Sequence, residues 1–310
     1  MRAFLVRRLL FLVPILLGTV SLVFLLIHLI PGDPVELMLG ETAQIADREA
    51  LRHALHLDEP LGRQYLRYLG GVVRGDLGLS IHARRPVRDL ILTRYPATLQ
   101  LTAAALLIAV MLAVPLGTAA AIRQHTVLDY ASTLFALIGL AMPNFWLGPL
   151  LIVLFALKLD LFPVAGYEGW SSVILPALTL GLGMSAILTR MTRSALLEVI
   201  RQDYVTTARA KGLARRAIVW KHALKNAMIP IITIVGLQLG GLLAGSIITE
   251  TIFAWPGVGR LTLQAIQARD YPLVQGCVLT IALTYVLVNL LTDCLYAWAD
   301  PRVRLTPEPR

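Results

Sequence analysis

The sequence predicts an all-α polytopic membrane protein with six transmembrane helices, and three observations carry that expectation. Of its 310 residues, 57% are hydrophobic and only 15% are charged, where a soluble domain carries roughly 25%; mean hydropathy is +0.71. The charge is uneven: long uncharged runs alternate with polar segments, the pattern of a chain that crosses hydrocarbon repeatedly. The apolar runs number six, most of them near the ~20 residues a helix needs to cross a bilayer. The net charge of +9 is of the kind that attracts nucleic acid. Here the basic residues stand beside apolar spans, where lipid and topology account for them, and no nucleic-acid partner is expected.

The first span is Leu9–Ile30, interrupted only by Pro14 and His28. It is too long for a signal-peptide core and no small-x-small cleavage site follows, so it is read as an uncleaved helix. The second, Ala97–Ile122, and the third, Tyr130–Leu157, carry no charge, and Pro143 and Pro149 lie inside the third. The fourth, about Val173–Leu188, is short and contains Pro176, Gly181 and Gly183. The fifth is Ala227–Thr249 and the sixth Pro272–Thr292. Cys277 and Cys294 lie in or beside the sixth, about 25 Å apart along a straight helix. They cannot bridge each other there and are read as packing residues.

Lys and Arg set the orientation. Six spans put both termini on one side. That side carries sixteen basic residues, nine of them between Arg190 and Lys225, against twelve on the other. Nine of the twelve fall in segment 31–96, which is 66 residues long and holds nine acids. Long translocated loops escape the rule, and without that loop the comparison is sixteen to three. Both termini are therefore expected in the cytoplasm. Arg84, Arg85, Arg88 and Arg94, just before the second span, run against this.

The expected organisation is an N-terminal helix (1–30), an external segment (31–96), a membrane core (97–297) containing a loop at 194–226, and a tail (298–310). In the external segment "IPGDP" stops the first helix and residues 43–55 read as a short amphipathic helix. Leu61, Tyr65, Leu66 and Leu69 share one helical face, and "GGVVRGDLGLS" reads as loop. A small helical cap on the membrane part fits better than a catalytic domain.

The loop between the fourth and fifth spans, "DYVTTARAKGLARRAIVWKHALKNAMIP", is basic and lacks acid after its first residue. Asp203 is placed to cap a helix. Tyr204, Ala208 and Lys211 follow at i, i+4 and i+7 over two turns, and Gly212 supplies the break. A second, amphipathic helix is expected over about Ala214–Asn226, with Ala217, Trp220 and Leu224 on one side and Arg215, Lys221, His222 and Lys225 on the other. Pro230 then falls near the first turn of the fifth span. Small residues (Thr207, Ala208, Ala210, Gly212) let another backbone approach closely, while the cations attract lipid headgroups. Residue chemistry alone leaves two readings open: a loop held by anionic lipid, or a docking element for a cytoplasmic partner.

The fifth span reads "GLQLGGLLAGS", in which Gly236 with Gly240, and Gly241 with Gly245, form two G-x-x-x-G pairs. They suit either plain packing within the subunit or a pathway helix that must rock. Asn144 is a neutral polar residue within the third span, and Glu250, at the outer end of the fifth, suits either an interfacial carboxylate bonded to its "TETIF" neighbours or a contact for substrate or a binding protein. Beyond it, Trp255 suits a membrane interface, and Pro256, Gly257 and Gly259 suggest a tight turn on the surface before a short helix over about Leu261–Arg269. No phosphate-binding loop, H-E-x-x-H, Cys/His cluster or G-x-S-x-G is present, so no catalytic residue, metal site or cofactor is expected in this chain. The spans also lack the mid-membrane charge of a secondary transporter.

The loop closely resembles the cytoplasmic coupling loop of ATP-binding-cassette importer permeases, in the dipeptide, oligopeptide and nickel group and its first membrane subunit. "RRLLFLVPILLGTVSLVFLLIHLIPGDP", "GDLGLSIHARRPVRDLILTRYPATLQLT", "PNFWLGPLLIVLFALKLDLFPVAGY", "ETIFAWPGVGRLTLQAIQARDYPLVQG" and "DPRVRL" match in order. The general loop begins Glu-Ala-Ala, then three residues, then Gly; here Thr206, Thr207 and Ala208 stand at the corresponding positions before Gly212, and the acid is absent, as in the peptide and nickel group. The resemblance implies a type I importer fold and a coupling helix of Asp203, Tyr204, Thr207, Ala208, Arg209, Ala210, Lys211 and Gly212 that docks on an ATPase. It implies a gate around Pro256–Gly259. The implied partners are a second homologous permease, two cytoplasmic ATPase subunits carrying the ATP and Mg, an extracytoplasmic solute-binding protein, and membrane lipid. The implied location is the inner membrane and the default cargo is peptide. Two other classes stay open: a membrane scaffold or receptor whose basic loop binds lipid, and a secondary transporter.

Overall fold

The computed structural model describes residues 2–29, 35, 44–54 and 57–299. The "IPGDP" stop and most of the tail expected at 298–310 lie outside the described residues. The described chain is helical throughout, apart from one isolated antiparallel bridge between Leu79 and Pro86. In chain order the helices are α1 Arg2–Leu29, α2 Ile45–Ala54, α3 Leu61–Arg74, α4 Val87–Ile122, α5 Val127–Ala141, α6 Asn144–Leu151 with a π-helical continuation Ile152–Lys158, α7 Ser171–Ile200, α8 Asp203–Ala210, α9 Arg215–Ile252, α10 Val258–Gln267 and α11 Tyr271–Ala299.

Four of these (α4, α7, α9 and α11) are long and apolar enough to cross a membrane. The fifth candidate is a pair: α5 and α6 meet at 107°. The sequence places one span over Tyr130–Leu157, and Pro143 is why it bends. Proline disfavours the helical region for the residue before it, and Met142 is accordingly extended, with φ −88° and ψ 113°. Pro149 is absorbed inside α6, just ahead of the π-helical turns. The fourth span is longer than expected, since α7 continues to Ile200. In α1 the described apolar stretch is Val13–Leu25.

The chain divides into two compact units, one of residues 98–255 with 287–310 and one of 2–97 with 256–286. In the second unit α3 meets α1 through aromatics. The Tyr65 hydroxyl and the Ser21 hydroxyl share a 2.7 Å hydrogen bond, and Phe24 meets the Tyr65 ring edge-on with centroids 5.4 Å apart. Of the face read from periodicity, Tyr65 and Leu69 are half-buried while Leu61 and Leu66 are exposed, and Tyr65 and Tyr68 both meet Phe24. Gly70 and Gly71 are helical, and the loop begins only at Gly75. That loop is tied to the end of α10: the buried Asp270 carboxylate accepts from the Ser80 hydroxyl and from the Leu273 N–H, and the His82 ring nitrogen lies 2.6 Å from the Ala268 carbonyl. Val87, Ile91, Val258, Leu261, Ala265, Leu273 and Cys277 form the core, so Cys277 is a packing residue as expected.

The first unit is built around α7, whose span is the most buried in the molecule. One core joins α4, α7 and the start of α9 through Ala113, Ala121, Leu188, Leu196, Val219, Ala223, Ala227 and Ile231. Another joins α6 and α7 to the far end of α9 through Leu147, Leu151, Leu175 and Phe253. α9 therefore runs from one core to the other, about 57 Å at helical rise.

Candidate functional site

The segment between α7 and α9 is where the sequence concentrates its signals, and α8 stands there as expected, over Asp203–Ala210. Gln202, extended at φ −77° and ψ 151°, occupies the cap position and makes no side-chain cap bond. Asp203, expected as the cap, is instead the first helical residue, a favourable place for a carboxylate near the positive end of the helix. The C-terminus closes as a Schellman motif: the Gly212 N–H donates to the Arg209 carbonyl (2.9 Å) and the Leu213 N–H to the Ala208 carbonyl (3.3 Å). Gly212 sits at φ +75° with open space around it. Its requirement for glycine is thus conformational, since a Cβ in this region costs roughly 1–2 kcal/mol.

α8 has two distinct sides. Val205 and Ala208 are buried against Ile218 of α9. Asp203, Tyr204, Thr206, Thr207, Arg209, Ala210, Lys211 and Gly212 are exposed. Ala208 therefore does not belong to the surface that a partner can approach; its small side chain lets α8 lie close to α9. On the other edge the Asn226 amide donates to the Tyr204 hydroxyl at 2.7 Å. Burying one valine is worth about 1.5–3 kcal/mol and an eight-residue helix is marginal alone, so α8 is a short rod fastened to α9 by one small apolar contact and one hydrogen bond.

The separate amphipathic helix expected over Ala214–Asn226 does not exist as such. Residues 215–252 form one continuous helix, with a π-helical turn over Ile218–Ala223. Pro230 consequently falls well inside it. Its buried side is Ile218, Val219, Ala223, Leu224 and Ala227, while Trp220, expected on the packed side, is 49% exposed. The wider π turn rotates Trp220 away from the position that ordinary helical spacing gives it. Arg215, at the start of α9, donates to the Ile122 carbonyl at the end of α4 (3.0 Å), where a cation suits the negative helix end.

Sequence reasoning missed a buried ion pair at this same end. Arg193 of α7 holds Asp129 of α5 in a bidentate pair, Nε to Oδ1 at 2.6 Å and the second nitrogen to Oδ2 at 2.9 Å, and the His125 N–H adds a third bond at 3.0 Å. The Asp129 side chain is only 5% exposed; losing one partner of such a pair costs about 3–5 kcal/mol. The available signal was a carboxylate just before the third span and an arginine just past the end of the fourth as it was read.

The expected pathway residues separate into groups. Gly236 and Gly240 are buried, and a Cβ on Gly236 would collide with the methyl of Thr292 in α11, so Gly236 serves close helix packing within the chain. Gly241 is exposed with nothing near its Cβ position, and Gly245 is half-buried beside the Asn144 amide and Leu180. Asn144 opens α6, directly after the bend. Glu250 is fully buried and accepts the Thr98 hydroxyl at 2.7 Å.

The stretch after α9 is not a surface loop. Trp255, expected at a membrane interface, is fully buried. Its ring meets Tyr167 edge-on at 4.7 Å, Tyr167 in turn donates to Gln100 at 2.9 Å, and the Gly166 N–H donates to the Phe253 carbonyl. The left-handed residue of the turn is Ala254, at φ 51°. Pro256, Gly257 and Gly259 do not take that role. Gly257 is extended and caps α10, and Gly259 lies within α10; both glycines are buried. The short helix itself begins at Val258, earlier than expected.

Comparison with known proteins fits this architecture. Residues 113–305 match the family described as binding-protein-dependent transport system inner membrane component, and residues 1–102 match the N-terminal family of the same membrane components. The chain is 42% identical to the dipeptide transport system permease protein DppB of Escherichia coli strain K12, over 98% of this chain and 99% of that one. It is 42% identical to the glutathione transport system permease protein GsiC of the same strain, over 97% and 98%. Among solved structures, an amino acid ABC transporter crystallised with histidines aligns with a TM-score of 0.51 at 16% identity, covering 69% of this chain and 94% of that one. The inward-facing MetNI methionine ABC transporter aligns at 0.54 and 17%, covering 68% and 96%; these two speak to the fold alone. With both halves of the chain matched and relatives this similar over nearly their full length, the chain belongs to the ABC importer permeases of binding-protein-dependent transport systems, multi-pass inner-membrane subunits that are not themselves catalytic.

Proposed function

We propose that, within such an importer, α8 is the element that receives the ATPase subunit and α9 the rod that carries its movement across the membrane. The observation that carries this reading is the two-sided construction of α8. Tyr204, Thr207 and Lys211 lie along an exposed face, while Val205, Ala208 and the Tyr204–Asn226 bond fasten it to the start of α9. A push on the exposed face is passed to α9 through these contacts. The assembly is a pair of homologous permeases with two ATPases beneath them and a solute-binding protein on the far side. ATP and Mg belong to the ATPases, and their closure swings the permeases from inward-facing to outward-facing. Both termini and α8 lie in the cytoplasm, and the membrane count is six, with α1 and the bent α5–α6 pair as spans. The proposed cargo is a short peptide, the chemistry common to what DppB and GsiC are named for.

The test is coupling. In the complete complex, Gly212→Val should leave the permease inserted and the ATPases active while uptake of labelled dipeptide falls at least tenfold. Normal uptake with that substitution would remove α8 from the mechanism.

A further inference from the structure

We propose that the exposed face of α9 formed by Arg216, Trp220, Lys221 and Lys225 binds the anionic headgroups of membrane phospholipid. This requires only that the chain crosses the bilayer, and it stands apart from what α8 docks on.

Position comes first. These residues occupy the first turns of the same continuous helix, Arg215–Ile252, that is apolar enough to span, so they lie on its polar end, just ahead of the apolar stretch that begins near Ala227. Register comes second. Ile218, Val219, Ala223 and Leu224 are buried on one side, and Arg216, Trp220, Lys221 and Lys225 are exposed on the other. In a regular α-helix residues five apart are about 140° around the axis; the π-helical turn over Ile218–Ala223 brings such residues toward one row, gathering Lys221 toward Arg216 and placing Trp220 beside them. Half-exposed tryptophan at the start of a span is the residue that settles at headgroup level.

Charge comes third. No acid occurs between Tyr204 and Thr249, and Arg216, Lys221 and Lys225 form no ion pair among the described residues. Like charges in a row repel, and cations at this end of a helix also oppose its dipole. The counter-charge must come from outside the chain. A leaflet rich in anionic lipid supplies it, at about fivefold in affinity per cation. The exposed face of α8 differs: it mixes Asp203, Tyr204 and Thr207 with its cations, as a protein surface does.

The complete complex would be reconstituted in phosphatidylcholine bilayers containing either phosphatidylglycerol or phosphatidylcholine brominated near the head of the acyl chain. The Trp220 signal is taken as the fluorescence lost on Trp220→Phe. At equal mole fraction, brominated phosphatidylglycerol should quench this signal several-fold more than brominated phosphatidylcholine. Combined Arg216→Gln, Lys221→Gln and Lys225→Gln should abolish the preference, while Arg123→Gln retains it. Equal quenching by the two lipids, or a preference that survives the triple substitution, overturns the proposal. So does a preference seen only after the ATPase subunits are stripped away, which would assign the face to them. If the triple variant does not assemble, salt decides: in the unaltered complex the preference should vanish at high ionic strength, and persistence overturns the proposal.

Discussion

α8 and α9 end with the same hydrogen-bond pattern, yet one uses glycine and the other does not. At the end of α8, Gly212 is left-handed at φ +75° and the following Leu213 is 43% exposed. At the end of α9, Ala254 is left-handed at φ 51°, the Trp255 N–H returns to the Glu250 carbonyl at 2.8 Å and the Ala254 N–H to Thr251 at 3.3 Å, and Trp255 is fully buried. The residue that follows the left-handed position is thus buried at one end and exposed at the other. Where a buried tryptophan locks the turn, an alanine is tolerated in a conformation that costs it roughly 1–2 kcal/mol. Where nothing locks the turn, glycine is needed. The α9 end is fixed by packing, and the α8 end by backbone conformation alone, as suits a rod held only at its sides.

That contrast can be broken or sharpened in four ways. The largest effect belongs to Trp255→Ala, which should cost about 3–5 kcal/mol and lower the thermal unfolding midpoint of the purified permease by many degrees; a small shift would mean that the tryptophan does not lock the turn. Next, Gly212→Ala should add about 1 kcal/mol of local strain with little change in that midpoint, yet lower the uptake obtained per ATP hydrolysed, measured in proteoliposomes. Asn226→Ala removes the donor to Tyr204, a bond worth about 1 kcal/mol; uptake per ATP should fall a few-fold, and Tyr204→Phe should reproduce it. The smallest effect is expected from Ala254→Gly, where relief of strain is offset by glycine's larger entropy loss of about 0.5–1 kcal/mol, leaving the midpoint nearly unchanged. A separate check lies on α3: the buried Tyr68 hydroxyl has no hydrogen-bond partner among the described residues, and burial pushes it up to about 12, so Tyr68→Phe should be neutral or stabilising by about 1 kcal/mol.

Much of the fold was legible because hydropathy is set by single residues. The spans are where the apolar runs are, and α8 lies between its acidic start and its glycine. What was not legible depends on partners far away in sequence. Nothing in "KHALKN" tells that Asn226 reaches Tyr204, or that a π turn fuses the expected amphipathic helix to the fifth span and turns Trp220 outward. Ala208 was read as a partner surface because small residues serve both for docking and for close helix contact, and only the position of Ile218 decides which. Trp255 reads as interfacial because tryptophan favours the headgroup level; its ring instead meets Tyr167, nearly ninety positions earlier. Arg193 counted only as one of the basic residues that set the orientation and Asp129 drew no reading, because their pairing depends on how α5 and α7 pack.

The central claim is that the exposed face of α8 is covered by an ATPase subunit. With Cys277 and Cys294 replaced by serine, Thr207→Cys in the assembled complex should be protected from a membrane-impermeant maleimide and become reactive when the ATPases are removed, while Lys158→Cys, exposed and distant in sequence, is unaffected by their removal. Equal labelling of Thr207→Cys with and without the ATPases would contradict the account.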